Sequence, residues 1–418
     1  MNKKLKLLSL SGLVVLSLNL QAQTTVWYEN NTSAAQTSNN WFDEAIWSAR
    51  TATDQKIPQN TAEVNAYVNL HNNLYVDRDV SVSSIWLKTD DKVLSVESGA
   101  TLTLTQGYTN QDGKFNSYIE VADSSALVIG GDSNGNVVLN GGSVTSRRLN
   151  GGNYTINSGS FSVDGYIQNN SNVKVYGGSL SLQNGNIDGG AQVSLFGGSL
   201  KIANDKTVGN GNQENAATIT FGGGKLYNDP SERLDLNNAN LIFGATDEGV
   251  FKAASAHSIE VGTRLRIFPG TMRFNMANAN LLTDSSSASL KDNAFVYSAG
   301  EISMQSNDAI FVKLDFSNID FSGLNGDYFV SLFAMEKDFH KDMQPVFSYI
   351  DSAGLSKNVV YGEEYKYSED VSFKVIHHTS DTSINSYYVS INVVPEPATY
   401  AAIFGALAIA IAFIRRRK

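Results

Sequence analysis

The middle of the chain alternates between short apolar and polar positions, and glycine pairs interrupt the alternation. In the stretch VKVYGGSLSLQNGNIDGGAQVSLFGGSLKI, apolar residues recur at every second position around each Gly-Gly pair. A period of two is typical of β-strands with one buried face. The stretch also contains an ungapped repeat, in which Val173, Val175, Gly177, Gly178, Ser179, Leu180 and Leu182 recur as Val193, Leu195, Gly197, Gly198, Ser199, Leu200 and Ile202. Each copy predicts a strand, a glycine corner and a second strand.

Further copies extend this repeat in both directions. Related positions are Val137, Leu139, Gly141, Gly142, Ser143 and Val144; Tyr154, Ile156, Gly159, Ser160, Phe161 and Val163; and Ile219, Phe221, Gly223, Gly224, Lys225 and Leu226. One copy cannot bury its apolar face alone, so we expect each strand to pair with its counterpart in the next copy. The sequence therefore predicts a mostly β protein whose trunk, over 76–285, is a parallel, right-handed β-helix or solenoid. Antiparallel hairpins in a sandwich are the alternative, although they would need no fixed register between copies.

Two segments of different composition flank the repeats. Three of the four tryptophans, Trp27, Trp41 and Trp47, fall within 23–75, which resembles the W…W…P opening of many exported β-solenoid proteins. We interpret 23–75 as an N-terminal cap whose tryptophans plug the first coil, although clustered tryptophans can also stack on sugar rings. Residues 286–394 lose the glycine pairs and gain long aromatic alternations such as SYYVSINVV, which predicts a C-terminal antiparallel β-domain.

Both ends of the chain carry apolar segments with basic flanks. Residues 1–22 combine three lysines, an apolar run and a small residue at Ala22, which predicts a secretory signal peptide cleaved after Ala22. At the other end, 398–414 is uncharged and mostly apolar, about 25 Å long as a helix at about 1.5 Å per residue. That length barely crosses a hydrocarbon core of about 30 Å, so we expect a weak transmembrane helix.

The closing segment resembles the PEP-CTERM sorting signal of Gram-negative bacteria. The resemblance covers 395–418 and rests on Pro395, Glu396 and Pro397, the apolar helix, and the basic stop formed by Arg415, Arg416, Arg417 and Lys418. It implies export through the Sec translocon, transient anchoring in the inner membrane and processing near the motif by an exosortase. Release or attachment at the cell surface follows, often beside exopolysaccharide. An ordinary tail anchor, and hence a permanent membrane protein, is the alternative.

Composition and charge exclude several classes of site and partner. The chain has no cysteine, which excludes disulfides, thiol catalysis and thiolate metal sites. The net charge is −10, and removing the seven basic residues at the two ends would leave 24 cations against 41 acids, or −17. Such a body repels nucleic acid and anionic lipid, so we expect no nucleic-acid partner.

Parallel β-helices include polysaccharide lyases and hydrolases, which require carboxylates that converge on one face. Counted from the nearest glycine pair, Asp164, Asp188 and Asp205 occupy different registers, so we do not expect them to stack. The adjacent cations Arg147 and Arg148 share a register with no acid cluster. The sequence therefore predicts no catalytic residues.

Two segments superficially suggest metal sites. The sequence GGDSNGN over 130–136 spaces oxygen ligands by two, but Ser143 stands where a calcium loop needs its glutamate, so we interpret it as a turn. His377 and His378 lie near Asp381, yet neighbouring residues of a strand point to opposite faces. We therefore predict no metal site and no cofactor.

These observations favour an exported, non-enzymatic protein of the cell surface or extracellular matrix. Its rigid trunk would present asparagine- and threonine-rich faces, with a polysaccharide as the ligand class. A carbohydrate-active β-helix enzyme is the alternative function.

Overall fold

The computed structural model describes residues 23–30, 38–51, 53–110, 116–203, 206–209, 215–304, 310–337, 345–379, 384–394, 405–409 and 411. Strands account for 57% and helices for 6%, which establishes a mostly β protein with a large, mostly parallel sheet.

The strands are numbered along the chain as follows: β1 (Thr24–Asn30), β2 (Trp47–Ala49), β3 (Val64–Leu70), β4 (Leu74–Val76), β5 (Val80–Leu87), β6 (Val93–Val96), β7 (Thr101–Asn110), β8 (Tyr118–Val121), β9 (Ala126–Asn134), β10 (Asn136–Asn150), β11 (Asn153–Val163), β12 (Ile167–Gln168), β13 (Asn172–Val175), β14 (Ser179–Leu182), β15 (Gln192–Leu195), β16 (Ser199–Ile202), β17 (Thr207–Val208), β18 (Thr218–Phe221), β19 (Lys225–Asn228), β20 (Arg233–Leu236), β21 (Asn240–Phe243), β22 (Ala245–Asp247), β23 (Val250–Lys252), β24 (Ile259–Val261), β25 (Arg264–Ile267), β26 (Gly270–Ala277), β27 (Val296–Ser298), β28 (Glu301–Met304), β29 (Ile310–Asn318), β30 (Gly326–Met335), β31 (Val346–Ile350), β32 (Ser356–Val359), β33 (Tyr365–Lys366), β34 (Val371–Thr379) and β35 (Asn385–Val393). Short helical elements are the 3₁₀ turns Glu44–Ile46 and Asn278–Asn280 and the helix α1 (Ser287–Asp292).

The repeated segments stack as parallel coils. In the ungapped repeat, β13 pairs with β15 and β14 with β16, so that Val173 lies beside Val193 and Leu180 beside Leu200. The same register continues to β11 on one side and to β18 and β19 on the other. The predicted parallel pairing of like with like is therefore confirmed, and the hairpin alternative does not describe these segments.

Each coil of the middle region contributes to three rows of strands. Row A contains the strands before the glycine corner, such as β13, and row B contains those after it, such as β14. A third row, row C, is reduced there to single β-bridges that join Ile167, Ile187 and Val208. All three side chains are fully buried, and they belong to the same hydrophobic core as the inward residues of rows A and B. The sequence analysis did not identify row C.

The parallel stack occupies more of the chain than the 76–285 segment marked by glycine pairs. At the N-terminal end, β1 pairs in parallel with β3 inside the segment interpreted as a cap, and β3 pairs in parallel with β5 just beyond it. At the C-terminal end, β29 pairs in parallel with β31, and β27 with β30. Rows A and B thus continue well into 286–394.

Antiparallel strands cover both ends of the stack. β2 pairs antiparallel with the outer edge of β1. At the other end, β35 pairs antiparallel with β30 and β34, and β32 pairs with β31. An uncovered strand edge can accept another chain, and these strands cover part of the backbone edge at each end of the stack.

Candidate functional site

The predicted processing residues cannot be placed in the fold. The signal peptide 1–22 with Ala22, the motif Pro395, Glu396 and Pro397, and the basic residues Arg415, Arg416, Arg417 and Lys418 all lie outside the described residues. Val394, the residue before the motif in the sequence, follows β35, is half exposed, and donates its backbone N–H to the Asp370 carbonyl at 2.8 Å.

In the parts of the chain that the structure describes, no helix has both the length and the apolar character required to cross a membrane.

A groove lies on the outer face of row A. It has a volume of about 500 Å³, is open to solvent, and is lined by Asn153, Tyr154, Thr155, Asn157, Asn172, Lys174, Tyr176 and Glu248. Because alternate residues of a strand point outward, β11 and β13 supply most of the floor, and Glu248 comes from a distant hairpin. The volume lies within the range of about 300–1,000 Å³ that is usual for small-ligand sites.

Ladders of side-chain amides cross the floor of the groove. The Asn153 amide donates to Asn136 Oδ1 at 3.1 Å, and Asn172 donates to Asn153 at 3.4 Å. In a parallel ladder, Asn157 donates to Asn140 Oδ1 at 2.7 Å. Asn153 and Asn172 lie at equal register in neighbouring coils, whereas Asn157 reaches Asn140 at a register shift, where Asn140 lies opposite Ser158. These ladders present both donors and acceptors to the solvent side.

The wall of the groove is a β-hairpin inserted between two coils. β22 and β23 pair antiparallel, with Asp247 opposite Val250. The two loop residues, Glu248 and Gly249, have φ values of +49° and +80°, as a tight type I′ hairpin turn requires. The hairpin follows β21 directly but folds back over row A to reach β13.

An ion pair fixes the hairpin to the trunk. Lys174 Nζ lies 3.0 Å from Asp247 Oδ1, and Asp247 is buried. Burial alone would raise the pKa of Asp247, but hydrogen bonds from Lys174 and Tyr176 outweigh it and leave that pKa below its usual value. The hydrogen bond to Asp247 raises the pKa of Lys174 in turn. Both groups are therefore charged at neutral pH.

An aromatic pair lies beside this ion pair. The rings of Tyr176 and Phe196 stack with centroids 5.6 Å apart, and Lys174 Nζ lies 6.0 Å from the Phe196 ring. A side chain at Gly222 would meet Phe196 Cδ1 at 2.6 Å and Lys252 Cβ at 2.9 Å. The absence of a side chain at this position lets the hairpin and the aromatic pair approach the trunk.

Asp247 is not suited to act as a general acid. A general acid needs a raised pKa, whereas Asp247 is held ionised by Lys174 and Tyr176. Asp188 has a pKa raised by burial, but it follows Ile187 in row C and does not line the groove. Asp164 is exposed and accepts a hydrogen bond from Asn184 at 2.6 Å, and Asp205 lies outside the described residues.

The segment GGDSNGN is not a turn, contrary to the sequence interpretation. Residues up to Asn134 continue strand β9, and Asp132 lies at the register of Gly107 in β7. On the other side Asp132 pairs with Arg148, with Arg148 Nε 3.8 Å from its carboxylate. Because these residues are small, β7, β9 and β10 can each continue from row B into row C while they stay paired with the neighbouring coils.

No three potential metal-ligating side chains come together within the described ranges. His377 stacks on Tyr387 with ring centroids 4.3 Å apart, while His378 Nε2 lies 3.2 Å from Ser287 Oγ. The two imidazoles therefore make different contacts, as expected for adjacent residues of a strand. Burial, with a smaller contribution from His378, lowers the pKa of His377.

The contacts of the clustered tryptophans favour a structural role over stacking on sugar rings. Trp41 is fully buried and donates its indole N–H to the Pro58 carbonyl, so it plugs the first coils. Trp27 is half-buried and stacks on Trp86 at 4.4 Å, with Tyr67 at 4.8 Å from Trp27. The faces of these rings pack against one another, so the role of this cluster is mainly structural.

The sequence analysis missed Lys174, Tyr176, Asp247 and Glu248 as groove residues. The hairpin has a local signal, because ATDEGVFK places Glu-Gly between two short β-prone segments. Its contact with β13, 73 positions away, has no such signal.

No protein-family model matches the chain, and neither curated proteins nor solved structures show a match to it.

Proposed function

We propose that this protein is an exported, non-enzymatic component of the cell surface or extracellular matrix. Its trunk is a right-handed parallel β-helix, and its C-terminal tail is a PEP-CTERM signal that anchors the precursor in the inner membrane until an exosortase processes it. The Sec translocon and the exosortase are its partners during export, and a polysaccharide is its ligand at the surface.

The regular amide ladders of row A carry this proposal. They give a rigid, uncharged, hydrogen-bonding face, as Asn136, Asn153 and Asn172 illustrate. The antiparallel strands at both ends cover part of the backbone edge through which such a rod could add another chain. Val394, the residue that precedes the 395–397 motif in the sequence, is half exposed, which supports access by a processing enzyme.

A test of the sorting step uses intact-mass spectrometry of the protein from its native host. The mature chain is expected to begin after Ala22 and to end near Pro397. A mature mass that includes Lys418 would overturn the sorting proposal.

A carbohydrate-active enzyme is the second candidate, favoured by the Glu248 carboxylate in the groove lining and by the neighbouring Asp247 carboxylate, which pairs with Lys174. Reducing-end release from a panel of polysaccharides, measured beside pull-down on the same panel, separates the two functions. We expect retention on at least one polysaccharide without release of reducing ends. Release that disappears in Glu248→Gln would establish the enzyme instead.

A further inference from the structure

We infer that the groove between β13 and the β22–β23 hairpin binds a segment of a neutral oligosaccharide. This inference deepens the proposed function, because it names the site and the ligand class through which the protein would hold a polysaccharide.

The floor of the groove matches the chemistry of sugar hydroxyls. Each hydroxyl both donates and accepts a hydrogen bond, and side-chain amides offer both partners in fixed directions. Asn157 and Asn172 lie in ladders that hold their orientation from coil to coil. A site whose polar groups are already ordered loses little side-chain entropy on binding.

One end of the floor is aromatic. Tyr176 lines the groove and is half-buried, and Phe196 supports its ring from the next coil. An aromatic ring provides apolar contact area to the C–H face of a sugar ring, and the hydrogen bond of the Tyr176 hydroxyl to Asp247 holds this ring in place. The change from amides to an aromatic within one column, from Asn157 to Tyr176, is specific to this part of row A.

The charges of the groove favour a neutral ligand over a polyanion. The ammonium group of Lys174 is already matched by Asp247 at 3.0 Å. Glu248 adds a carboxylate to the lining without a second cation there. A uronate-containing polymer would therefore meet like charge at the wall, whereas uncharged hydroxyls can donate to the same carboxylate.

The hairpin sets the width of the site. It is held by the Lys174–Asp247 pair, and Ser255 Oγ, just beyond it, donates to the Gly223 carbonyl at 3.3 Å. Removing the pair would free the wall while leaving the floor intact. Asp247→Asn is expected to weaken oligosaccharide binding, but by less than Tyr176→Ala, because the asparagine amide retains part of the hydrogen bonding to Lys174.

The experiment is calorimetric titration of the full chain with neutral β-1,4-glucan hexasaccharide and, separately, with α-1,4-galacturonate hexasaccharide. Tyr176→Ala and Asn172→Ala are each expected to reduce affinity for the neutral hexasaccharide at least tenfold. The matched controls are Tyr227→Ala, an exposed tyrosine of row B, and Asn240→Ala, a row A asparagine outside the groove lining; both are expected to change affinity less than twofold. Thermal melts establish that all four variants are folded.

Glu248→Gln sharpens the charge argument, with Glu260→Gln on β24 as its control. The first is expected to raise galacturonate affinity at least threefold, and the second to leave it unchanged.

Binding of the neutral hexasaccharide that survives both Tyr176→Ala and Asn172→Ala would overturn the site. Preference of the wild-type protein for galacturonate, or binding of neither hexasaccharide, would overturn the ligand class. These outcomes leave the intact-mass and reducing-end tests unaffected, so the matrix function could stand while this inference fails.

Discussion

The middle coils and the C-terminal strands use glycine in different ways. At the corner of a middle coil, Gly178 has φ +67°, and a Cβ there would lie against the Gly159 carbonyl of the preceding coil. In the C-terminal region, Gly354 has a similar φ of +81°, but a Cβ there would meet nothing within 4 Å. The first glycine is required by the neighbouring coil as well as by its own turn. The second is required only by its turn.

The hydrophobic cores of the two regions also differ in how far they depend on contacts between equivalent residues of neighbouring coils. The trunk stacks identical residue types, as in the parallel column of Phe221, Phe243 and Phe274, with centroids 4.9 and 4.5 Å apart. In the C-terminal region, Phe373 contacts Phe316, Tyr349 and Tyr365 at varied angles. The trunk is therefore specified by repetition between neighbours, and its end by a non-repeating aromatic cluster that stops the repetition.

The largest expected effect tests the phenylalanine column. Phe243→Ala removes a fully buried ring from the middle of the column and is expected to lower the free energy of unfolding by about 3–5 kcal/mol in denaturant titration. The control Phe311→Ala lies on the outer face of β29 with its side chain 54% exposed. It should change stability by less than about 0.5 kcal/mol. Equal losses in the two variants would contradict the stacked core.

The second-largest expected effect on stability concerns Gly178 and Gly354. Gly178→Ala is expected to cost roughly 2–4 kcal/mol, because strain at positive φ adds to displacement of the neighbouring backbone. Gly354→Ala should cost about 1–2 kcal/mol from the positive φ alone. Denaturant titration of both variants measures the difference, and a larger loss for Gly354→Ala would refute the distinction.

A smaller, local effect is expected at the hairpin. Asp247→Asn removes the charge that pairs with Lys174, so backbone amides of β22 and β23 should exchange hydrogen faster at neutral pH while those of β13 and β15 stay protected. The wild-type hairpin should show the same change on acidification. The depressed pKa of Asp247 stabilises docking above the ordinary aspartate pKa, and that stabilisation is lost as pH falls through the folded-state value. Uniform loss of protection over the trunk would argue against a local strap.

The smallest effect concerns His377 in the C-terminal region. Its lowered pKa means that the unfolded chain binds a proton before the folded one does, so stability should fall as pH drops below about 6.5. His377→Phe keeps a ring beside Tyr387 and should reduce the pH dependence of the melting temperature between pH 7.5 and 5.5. Identical slopes for the variant and the wild type would exclude this contribution.

Residue patterns predicted the trunk where one coil repeats the next. The alternation of Val173 and Val175 and its recurrence at Val193 and Leu195 were sufficient to fix pairing, direction and register. Row C escaped prediction in the middle coils because a single inward residue per coil, such as Ile187, has no period of its own, although the row widens again to paired strands in β20, β25 and β28. The extent of the stack beyond residue 285 escaped it because β29 and β31 pair in parallel without glycine corners.

The sequence by itself determined which residues face the core and how consecutive coils align, because both depend on spacings shorter than about 30 residues. Only the tertiary structure decided that the β22–β23 hairpin folds back to Lys174 and encloses a groove, since that contact joins positions 73 apart. Short-range periodicity carries no information about which surface a protruding hairpin will cover. That choice depends on a complementary charge, an aromatic pair and a glycine gap, which become neighbours only after the coils have stacked.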